Sequence, residues 1–382
     1  MKLKAEKANM LLNIKADYKT SQQKLIERFK TYEHKVPLLT KSIEVDMSCR
    51  YESIVYIAKV TGWETSDSGR SQPIILTCEG TDGKRYRQLV KSGDDIRQDS
   101  LIQQIYSEIN KMLLENIPSF DSSLQLCTYQ CFPISLETGV LEFVENTISL
   151  KKLSELEVNK QEGIRQIIMP DTRELTCIRS VATSSIAGYV VGSGDRHQLN
   201  ILLDRDTGEV VHINFGIAFD HGRWLKVPEQ VPFRLTKDII GAFGSQGTKG
   251  PFTEARKHTL KVLRMSKDTI LTMLKVFIFN PLSSWSRQHI PNWTSEYFPT
   301  FNPSRPPTQS QMSISHCDID QDDTSRIKLR RGFPKSVQQA LDIVNKVEKK
   351  LADDLDVAAH IEELILQATN PKNLNFMHPR KL

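Results

Sequence analysis

A short β-hairpin with polar side chains at its open end is the feature of this sequence that most restricts the fold. Two apolar runs, residues 201–203 and 210–213, flank a polar turn and predict a pair of antiparallel strands. A hairpin returns the chain to its starting edge, so residues just before and just after it should lie close together. Four polar side chains occupy these positions: Asp195, His197 and Asn200 before the hairpin, and Asn214 after it.

This polar group has two interpretations. In the first, the side chains only bond to nearby loop backbone, as Asp and Asn commonly do. In the second, they form a site for phosphoryl transfer, in which a carboxylate aligns the attacking hydroxyl and a later amide oxygen holds Mg²⁺. The spacing between Asp195 and Asn200 fits both interpretations. The motif alone therefore does not separate them.

The rest of the sequence predicts a small sheet followed by a mainly helical region. Three β-type runs, at 53–57, 74–77 and 86–90, predict an antiparallel sheet. Apolar residues then recur at helical spacing after Asp99, which predicts a helix with Asp99 as its N-cap. One more strand is expected over 139–144.

Helices are predicted over most of the remaining chain. The predicted ranges are 3–35, 164–168, 175–191, 236–281, 336–351 and 357–369. Residues 283–333 are polar and interrupted by prolines. That composition buries too little apolar surface to offset its ordering entropy, so a flexible insertion is expected there.

Composition excludes several classes of protein. No run approaches the roughly 18 apolar residues of a membrane-spanning helix, which excludes a membrane-spanning protein. The first residues lack the apolar segment of a signal peptide, so a secreted protein is not expected. The 6 cysteines include no CxxC pair, so neither a zinc site nor a disulfide framework is predicted. A formal net charge of +5 over 382 residues does not indicate nucleic-acid binding. We expect no membrane and no direct nucleic-acid site among its partners.

Four separated blocks resemble the kinase domain of the phosphatidylinositol-3-kinase-related protein kinases, and within them the ATM/Tel group. Residues 88–99 resemble the strand-three lysine block, 194–203 the DRHxxN catalytic loop, 229–238 the VPFRLT segment and 370–374 part of the C-terminal FATC element. The resemblance implies a bilobal protein-kinase-like α+β fold of the PI3/PI4-kinase type. A small antiparallel-sheet N-lobe and a mainly helical C-lobe would hold the nucleotide between them.

The same resemblance implies a division into domains. An N-terminal helix within 1–45 would be the remnant of a FAT-like region, and 46–145 would form the N-lobe and hinge. The C-lobe would span 146–350 with the insertion 283–333, and 351–382 would form a FATC-like element. An upstream helical FAT-type region or regulatory proteins would then be partners of this domain.

The resemblance also implies a binding site for ATP. Lys91 would neutralise the α- and β-phosphates, with Asp94 as its acidic partner. The backbone of the hinge residues Glu142, Phe143 and Val144 would pair with adenine. From the residues alone, an exposed lysine at the end of a strand is the more common interpretation of Lys91, and 141–144 would be a buried strand.

The implied catalytic roles fall on the polar group around the hairpin. Asp195 would orient the attacking hydroxyl or take its proton, and His197 would stabilise the charge of the transferring phosphoryl group. Asn200 and Asn214 would ligate the metal that accompanies ATP, either Mg²⁺ or Mn²⁺.

Asn214 departs from the family, which has Asp at this position. An amide keeps one ligand oxygen but lacks the negative charge. A unit charge at ~4 Å in an effective dielectric of about 20 contributes ~4 kcal/mol, which corresponds to a roughly thousandfold slower reaction. We therefore expect a slow kinase, and the alternative is a pseudokinase or scaffold that binds ATP weakly.

The predicted phosphate loop between the first two strands is irregular. It spans 62–73, and the backbone amides of Ser66, Ser68 and Gly69 are the predicted phosphate contacts. Glu64 and Asp67 would repel phosphate, so a plain solvated loop is the alternative.

Residues 217–233 correspond to the activation segment, whose charge bears on the substrate. Two basic residues, Arg223 and Lys226, are balanced by Asp220 and Glu229. A segment that binds a phosphorylated inositol would cluster Lys and Arg, so the balance favours a peptide over a lipid. A phosphoinositide kinase remains the second alternative. The resemblance implies Ser/Thr-Gln sites on proteins and DNA-damage signalling in the nucleus, with the cytoplasm as a further possible location.

Overall fold

In the computed structural model, the described residues are 36–40, 47–48, 54–66, 73–92, 95–116, 124–135, 138–156, 171–225, 228–278 and 335–375. The helices predicted over 3–35 and 164–168 lie outside these residues. So do the predicted insertion 283–333 and half of the predicted phosphate loop, residues 67–72.

The N-lobe is built on a five-stranded antiparallel sheet with the strand order β1-β2-β3-β5-β4. Its strands are β1 (Ile57–Thr65), β2 (Ile74–Gly80), β3 (Arg85–Ser92), β4 (Cys131–Pro133) and β5 (Thr138–Glu142). The prediction of a first strand at 53–57 was wrong, because β1 only begins at Ile57. The loop predicted over 62–73 also starts too early, because Gly62 lies within β1 and pairs with Thr77 beside a register irregularity, which glycine accommodates within a strand.

Helix α1 (Arg97–Glu115) lies between the sheet and the C-lobe. Its apolar face, which includes Ile102, Ile105 and Ile109, is fully buried in one core cluster with side chains of the C-lobe. The prediction of Asp99 as N-cap was wrong, because Ile96 holds that position without a side-chain cap. The Asp99 carboxylate instead accepts a hydrogen bond from the backbone N–H of Phe215, at 3.0 Å.

The C-lobe combines a small sheet with packed helices. The predicted hairpin is present as β7 and β8, and β6 pairs with β7 to give a three-stranded antiparallel sheet. Its elements are β6 (Thr147–Ser149), α2 (Leu150–Leu156), α3 (Asp171–Val190), β7 (Ile201–Asp204), β8 (Val210–His212), α4 (Lys237–Ala242), α5 (Pro251–Met265), α6 (Lys267–Ile278), α7 (Lys335–Lys350), α8 (Val357–Thr369) and α9 (Pro371–Asn375). Within the described part of the chain, no helix combines the length and the apolar character needed to cross a bilayer.

Helix α3 is the central element of the C-lobe. Small residues such as Ala182 and Ala187 are fully buried along it, and α3 packs closely against α5. Small side chains allow two helices to approach each other, so this packing sets the end of α3 and the loop that follows it. That loop leads directly to Asp195.

Helix α7 contacts both the end of α3 and the segment after the hairpin. The Nζ atom of Lys350 donates to the carbonyl oxygen of Tyr189 and to Oδ1 of Asp220, both at 2.9 Å. The two charged side chains are only 13% and 18% exposed. This ion pair therefore ties the C-terminal helices to the first turn of the predicted activation segment.

His360 of α8 lies in a polar contact with α3 and α5. Its Nε2 is 3.1 Å from Oη of Tyr189, and its Nδ1 is 2.9 Å from Nη2 of Arg264. Since Arg only donates, Nδ1 accepts, and Nε2 carries the proton of the neutral ring. Burial, followed by the charge of Arg264, lowers the pKa of His360, while Glu363 raises it and Arg256 lowers it further.

We expect the free energy of unfolding to decrease as the pH falls below the ordinary His pKa of about 6.5. In that range an unfolded chain binds a proton at His360 more readily than the folded chain, in which the pKa of His360 is lowered. Urea unfolding at about pH 7.5 and about pH 5.5 measures the effect, which His360→Gln should reduce. His258→Gln, on half-buried His258 of α5, is the control. An undiminished pH effect in His360→Gln would contradict the assignment.

Candidate active site

The hairpin places Asn200 and Asn214 side by side. The N–H of Ile213 donates to the carbonyl oxygen of Asn200 at 3.1 Å, which continues the β7–β8 ladder by one step. Nδ2 of Asn214 then donates to Oδ1 of Asn200 at 2.9 Å, and Nδ2 of Asn200 donates to the carbonyl oxygen of Asp195 at 2.8 Å. Asp195 and Asn214 both have left-handed backbone, with φ of 57° and 59°. Asp and Asn are the non-glycine residues that tolerate it best.

Lys91 brings the N-lobe into contact with this group. It lies on β3 opposite Gly139 of β5, is only 7% exposed, and donates from Nζ to Oδ1 of Asn214. Gly139 permits the close approach of β4, because a Cβ atom at this position would lie 2.9 Å from the carbonyl oxygen of Phe132. Hydrogen bonds thus join Lys91, Asn214, Asn200 and Asp195 in one continuous chain across the two lobes, which we call the interlobe chain.

His197 lies at the solvent side of the interlobe chain. Its Nδ1 accepts the N–H of Leu199 at 3.1 Å, so the proton of the neutral ring is on Nε2. Nε2 lies 3.9 Å from Oδ2 of Asp195, and the two side chains are 25% and 32% exposed. A ring N–H donor and a carboxylate therefore lie close together, and both are partly exposed.

Two charged residues that we had not predicted as functional hold the backbone of the site. Arg196 is buried and donates to the carbonyl oxygens of Gly194 at 2.9 Å, of Ile213 at 2.8 Å and of Asn214. Burial lowers its pKa. The carboxylate of Glu229 accepts the N–H of Asp195 through both oxygens, at 3.0 and 2.9 Å. Both residues lie inside the motif blocks, but their partners are backbone groups that a sequence pattern does not identify.

The hinge residues use part of their backbone within the protein. The N–H of Glu142 donates to the carbonyl oxygen of Gln130 at 2.8 Å, and the N–H of Phe143 donates to the carbonyl oxygen of Arg87 at 3.3 Å. The carbonyl oxygen of Val144 accepts a hydrogen bond from the hydroxyl of Thr147. The ring centroid of Phe143 lies 3.9 Å from the guanidinium of Arg87. Burial raises the pKa of the Glu142 carboxyl. Because the first two amides are engaged, only the amide of Val144 stays as our predicted donor to adenine.

The predicted phosphate loop is shorter than expected. Residues 62–65 belong to β1, and the N–H of Ser66 donates to the carbonyl oxygen of Pro73 at 2.8 Å, which closes the β1–β2 turn. Its amide is therefore engaged in the turn, so a contact with phosphate would require this hydrogen bond to open. Ser68, Gly69 and Asp94 lie outside the described residues.

The residues predicted to hold Mg²⁺ match that ion in donor type but not in charge. Oδ1 of Asn200 and Oδ1 of Asn214 are hard oxygen donors, but both are neutral amides that now accept hydrogen bonds. Mg²⁺ prefers carboxylate and phosphate oxygens. Among the described residues, no cluster of three or more His, Cys, Asp or Glu side chains forms a metal site of its own. The two asparagines can therefore hold the ion only together with the phosphates of a nucleotide.

Comparison with known proteins identifies related kinases. The sequence profile described as "Phosphatidylinositol 3- and 4-kinase" matches residues 85–177 and 169–287. The chain is 33% identical over 391 residues to "Serine/threonine-protein kinase TEL1" of Gibberella zeae, an alignment that covers 90% of this chain. It is 37% identical over 300 residues to "Serine/threonine-protein kinase ATM" of Arabidopsis thaliana, which covers 66% of this chain.

Solved structures agree with this comparison. The structure described as "Structure of the open conformation of CtTel1" superposes with a TM-score of 0.69 at 29% identity, over 91% of this chain. This chain spans only 13% of the length of that structure's chain, 13% of the Gibberella zeae relative and 8% of the Arabidopsis thaliana relative.

Proposed function

Because this chain belongs to the phosphatidylinositol 3- and 4-kinase family, we propose that it transfers the γ-phosphoryl group of ATP to Ser or Thr of protein substrates. The observation that carries this proposal is the interlobe chain, which joins Lys91 of the N-lobe to Asp195 of the C-lobe. The interlobe chain brings together the residue types that phosphoryl transfer requires, which are a buried lysine, two asparagine amides and an aspartate.

Each side chain has a distinct part in the proposed reaction. Asp195 orients the substrate hydroxyl and accepts its proton, and the Nε2–H of His197 stabilises negative charge on the transferring group. Lys91 exchanges the amide of Asn214 for the phosphates of ATP, which offer its ammonium group negatively charged acceptors. Asn200 and Asn214 would hold Mg²⁺ or Mn²⁺, and the ion would neutralise phosphate charge.

A protein substrate is favoured over a lipid by two observations. The relatives are named serine/threonine-protein kinases, and the segment 217–233 is nearly neutral. We extend the proposal to Ser/Thr-Gln sites, to DNA-damage signalling of the ATM/Tel type, and to action in the nucleus. The structure described as "FAT and kinase domain of CtTel1" supports an upstream FAT-type region as a partner.

The substrate class is tested with radiolabelled ATP, Mg²⁺ or Mn²⁺, and three acceptors. These are a Ser-Gln peptide, the same peptide with Ser-Ala, and phosphatidylinositol vesicles. We expect label on the Ser-Gln peptide, several-fold less on Ser-Ala, and none on the lipid. Lys91→Met is the control for a contaminating kinase. Removing this phosphate contact costs ~4 kcal/mol, or roughly a thousandfold in rate, so label that persists in this variant comes from another enzyme. Label on the lipid alone would replace the proposal with a phosphoinositide kinase.

A pseudokinase or scaffold is the second candidate, and Asn214 is the observation that favours it. Its Oδ1 already accepts from Lys91, and its Nδ2 already donates to Asn200. Both polar atoms of the Asn214 side chain are thus hydrogen-bonded to other residues of the protein. ATP binding with no transfer to any acceptor, in this chain and in Asn214→Asp, would favour the scaffold.

A further inference from the structure

Helix α1 contacts the residue that follows Asn214 through three side chains. Nε2 of Gln98 donates to the carbonyl oxygen of Phe215 at 2.6 Å, and Oδ1 of Asp99 accepts the N–H of Phe215 at 3.0 Å. The ring of Tyr106 meets the ring of Phe215 edge-on, with centroids 5.5 Å apart. One helix of the N-lobe therefore satisfies both backbone groups of one C-lobe residue and packs against its side chain. We call Gln98, Asp99 and Tyr106 the α1 clamp.

All members of these contacts are buried. Gln98 and Asp99 are each 5% exposed, Tyr106 is 2% exposed, and Phe215 is fully buried. A buried hydrogen bond whose partner is removed leaves an unsatisfied polar group, which is more costly than the loss of the same bond at the surface. The position of α1 and the position of Phe215 are therefore strongly coupled.

The other lobe holds the same short segment from the opposite side. The guanidinium of Arg196 donates to the carbonyl oxygens of Ile213 and Asn214 and lies 5.0 Å from the ring of Phe215. The N–H of Ile213 donates to Asn200. Residues 213–215 thus have backbone contacts from both lobes. Among these three residues, Asn214 is the one whose side chain is hydrogen-bonded to Lys91.

We propose that Gln98 and Asp99 are positioning residues, which set the place of Asn214 relative to Lys91 by fixing the backbone of Phe215. This inference rests on the proposed function, since it assigns the two residues to the nucleotide site. A displacement of α1 would carry Phe215 and Asn214 with it and would open the interlobe chain. The two residues act through Asn214 and make no contact with a substrate themselves.

The test uses near-isosteric variants of the full chain. Gln98→Met removes the donor and keeps the length, and Asp99→Ala removes the acceptor. Asp99→Asn keeps an acceptor oxygen and should rescue function. Gln104→Met makes the same replacement at an exposed position of α1 and is the matched control.

Two measurements need no catalysis. Hydrogen–deuterium exchange measures the amide exchange rate of the peptide that contains Phe215. Electron paramagnetic resonance measures the free Mn²⁺ that remains in the presence of the protein and a non-hydrolysable ATP analogue, and so gives the Mn²⁺ affinity. We expect faster exchange and about tenfold weaker Mn²⁺ binding in Gln98→Met and Asp99→Ala, from the loss of one buried hydrogen bond. We expect no change in Gln104→Met and near-complete rescue in Asp99→Asn.

Turnover on the Ser-Gln peptide, measured in parallel at saturating metal and ATP, should fall about tenfold in the same two variants. Faster exchange with Mn²⁺ binding equal to that of Gln104→Met would show a purely structural role and overturn the inference, as would unchanged exchange. Failure of every protein to transfer phosphate, with the Mn²⁺ differences present, would overturn the proposed function and leave this inference standing. No Mn²⁺-dependent binding in any protein would overturn both.

Discussion

Asn214→Asp raises the turnover on a Ser-Gln peptide by roughly a thousandfold, because a unit charge at ~4 Å in an effective dielectric of about 20 contributes ~4 kcal/mol. The structure adds a second reason. In the present chain, Nδ2 of Asn214 donates to Oδ1 of Asn200. A carboxylate at 214 cannot donate, so two acceptor oxygens would face each other and favour a cation between them. The measurement is the initial rate of phosphate transfer at saturating Mg²⁺ and ATP.

Asn146→Asp is the matched control for this gain. Asn146 is exposed and also has left-handed backbone, with φ of 52°. Both substitutions therefore replace the same residue type in the same backbone conformation, and only one adds charge to the cleft. Equal rates in Asn214→Asp, Asn146→Asp and the unaltered chain would show that residue 214 does not limit the reaction.

Asp195→Asn, made in the Asn214→Asp chain, reduces turnover by about a hundredfold to ten-thousandfold, the usual contribution of a general base. Asn has nearly the same shape as Asp and tolerates the φ of 57° at this position, so the fold should be retained. The N–H of residue 195 still donates to Glu229. The loss should therefore appear in turnover rather than in the KM for ATP.

Asp206→Asn serves as the control for the loss at Asp195. Asp206 is exposed in the β7–β8 turn, and its substitution should leave turnover within about twofold, as for most surface changes. If Asp195→Asn retains the rate of this control, the carboxylate of Asp195 does not take part in the transfer. Thermal unfolding of both variants checks that a lower rate does not come from a lower stability.

Local patterns predicted the parts of the site that lie close in sequence. Asn200 and Asn214 come together because a hairpin joins them, and the polar turn between two apolar runs identified that hairpin. The contact between Lys91 and Asn214 spans 123 residues, and no pattern in either segment specifies it. The resemblance to a family supplied that pairing as an expectation.

Contacts that depend on tertiary structure were not predicted from the residues. Asp99 looked like a helix cap because capping is a local role that Asp often has. Its actual partner, Phe215, lies 116 residues away, and that of Gln98 is 117 residues away. Likewise, Gly62 was assigned to the start of the loop 62–73, because its tolerance within β1 depends on the register of the neighbouring strand. Residue types limited what these side chains can do, but the fold decided which partner each one meets.

The central claim is that Lys91, Asp195, Asn200 and Asn214 surround one nucleotide. An experimental structure with Mn²⁺ and a non-hydrolysable ATP analogue tests it most directly, because anomalous scattering locates Mn²⁺ independently of the protein. The account predicts phosphate oxygens beside Nζ of Lys91 and Mn²⁺ between the side-chain oxygens of Asn200 and Asn214. An analogue bound elsewhere, with Lys91 still donating to Asn214, would contradict it.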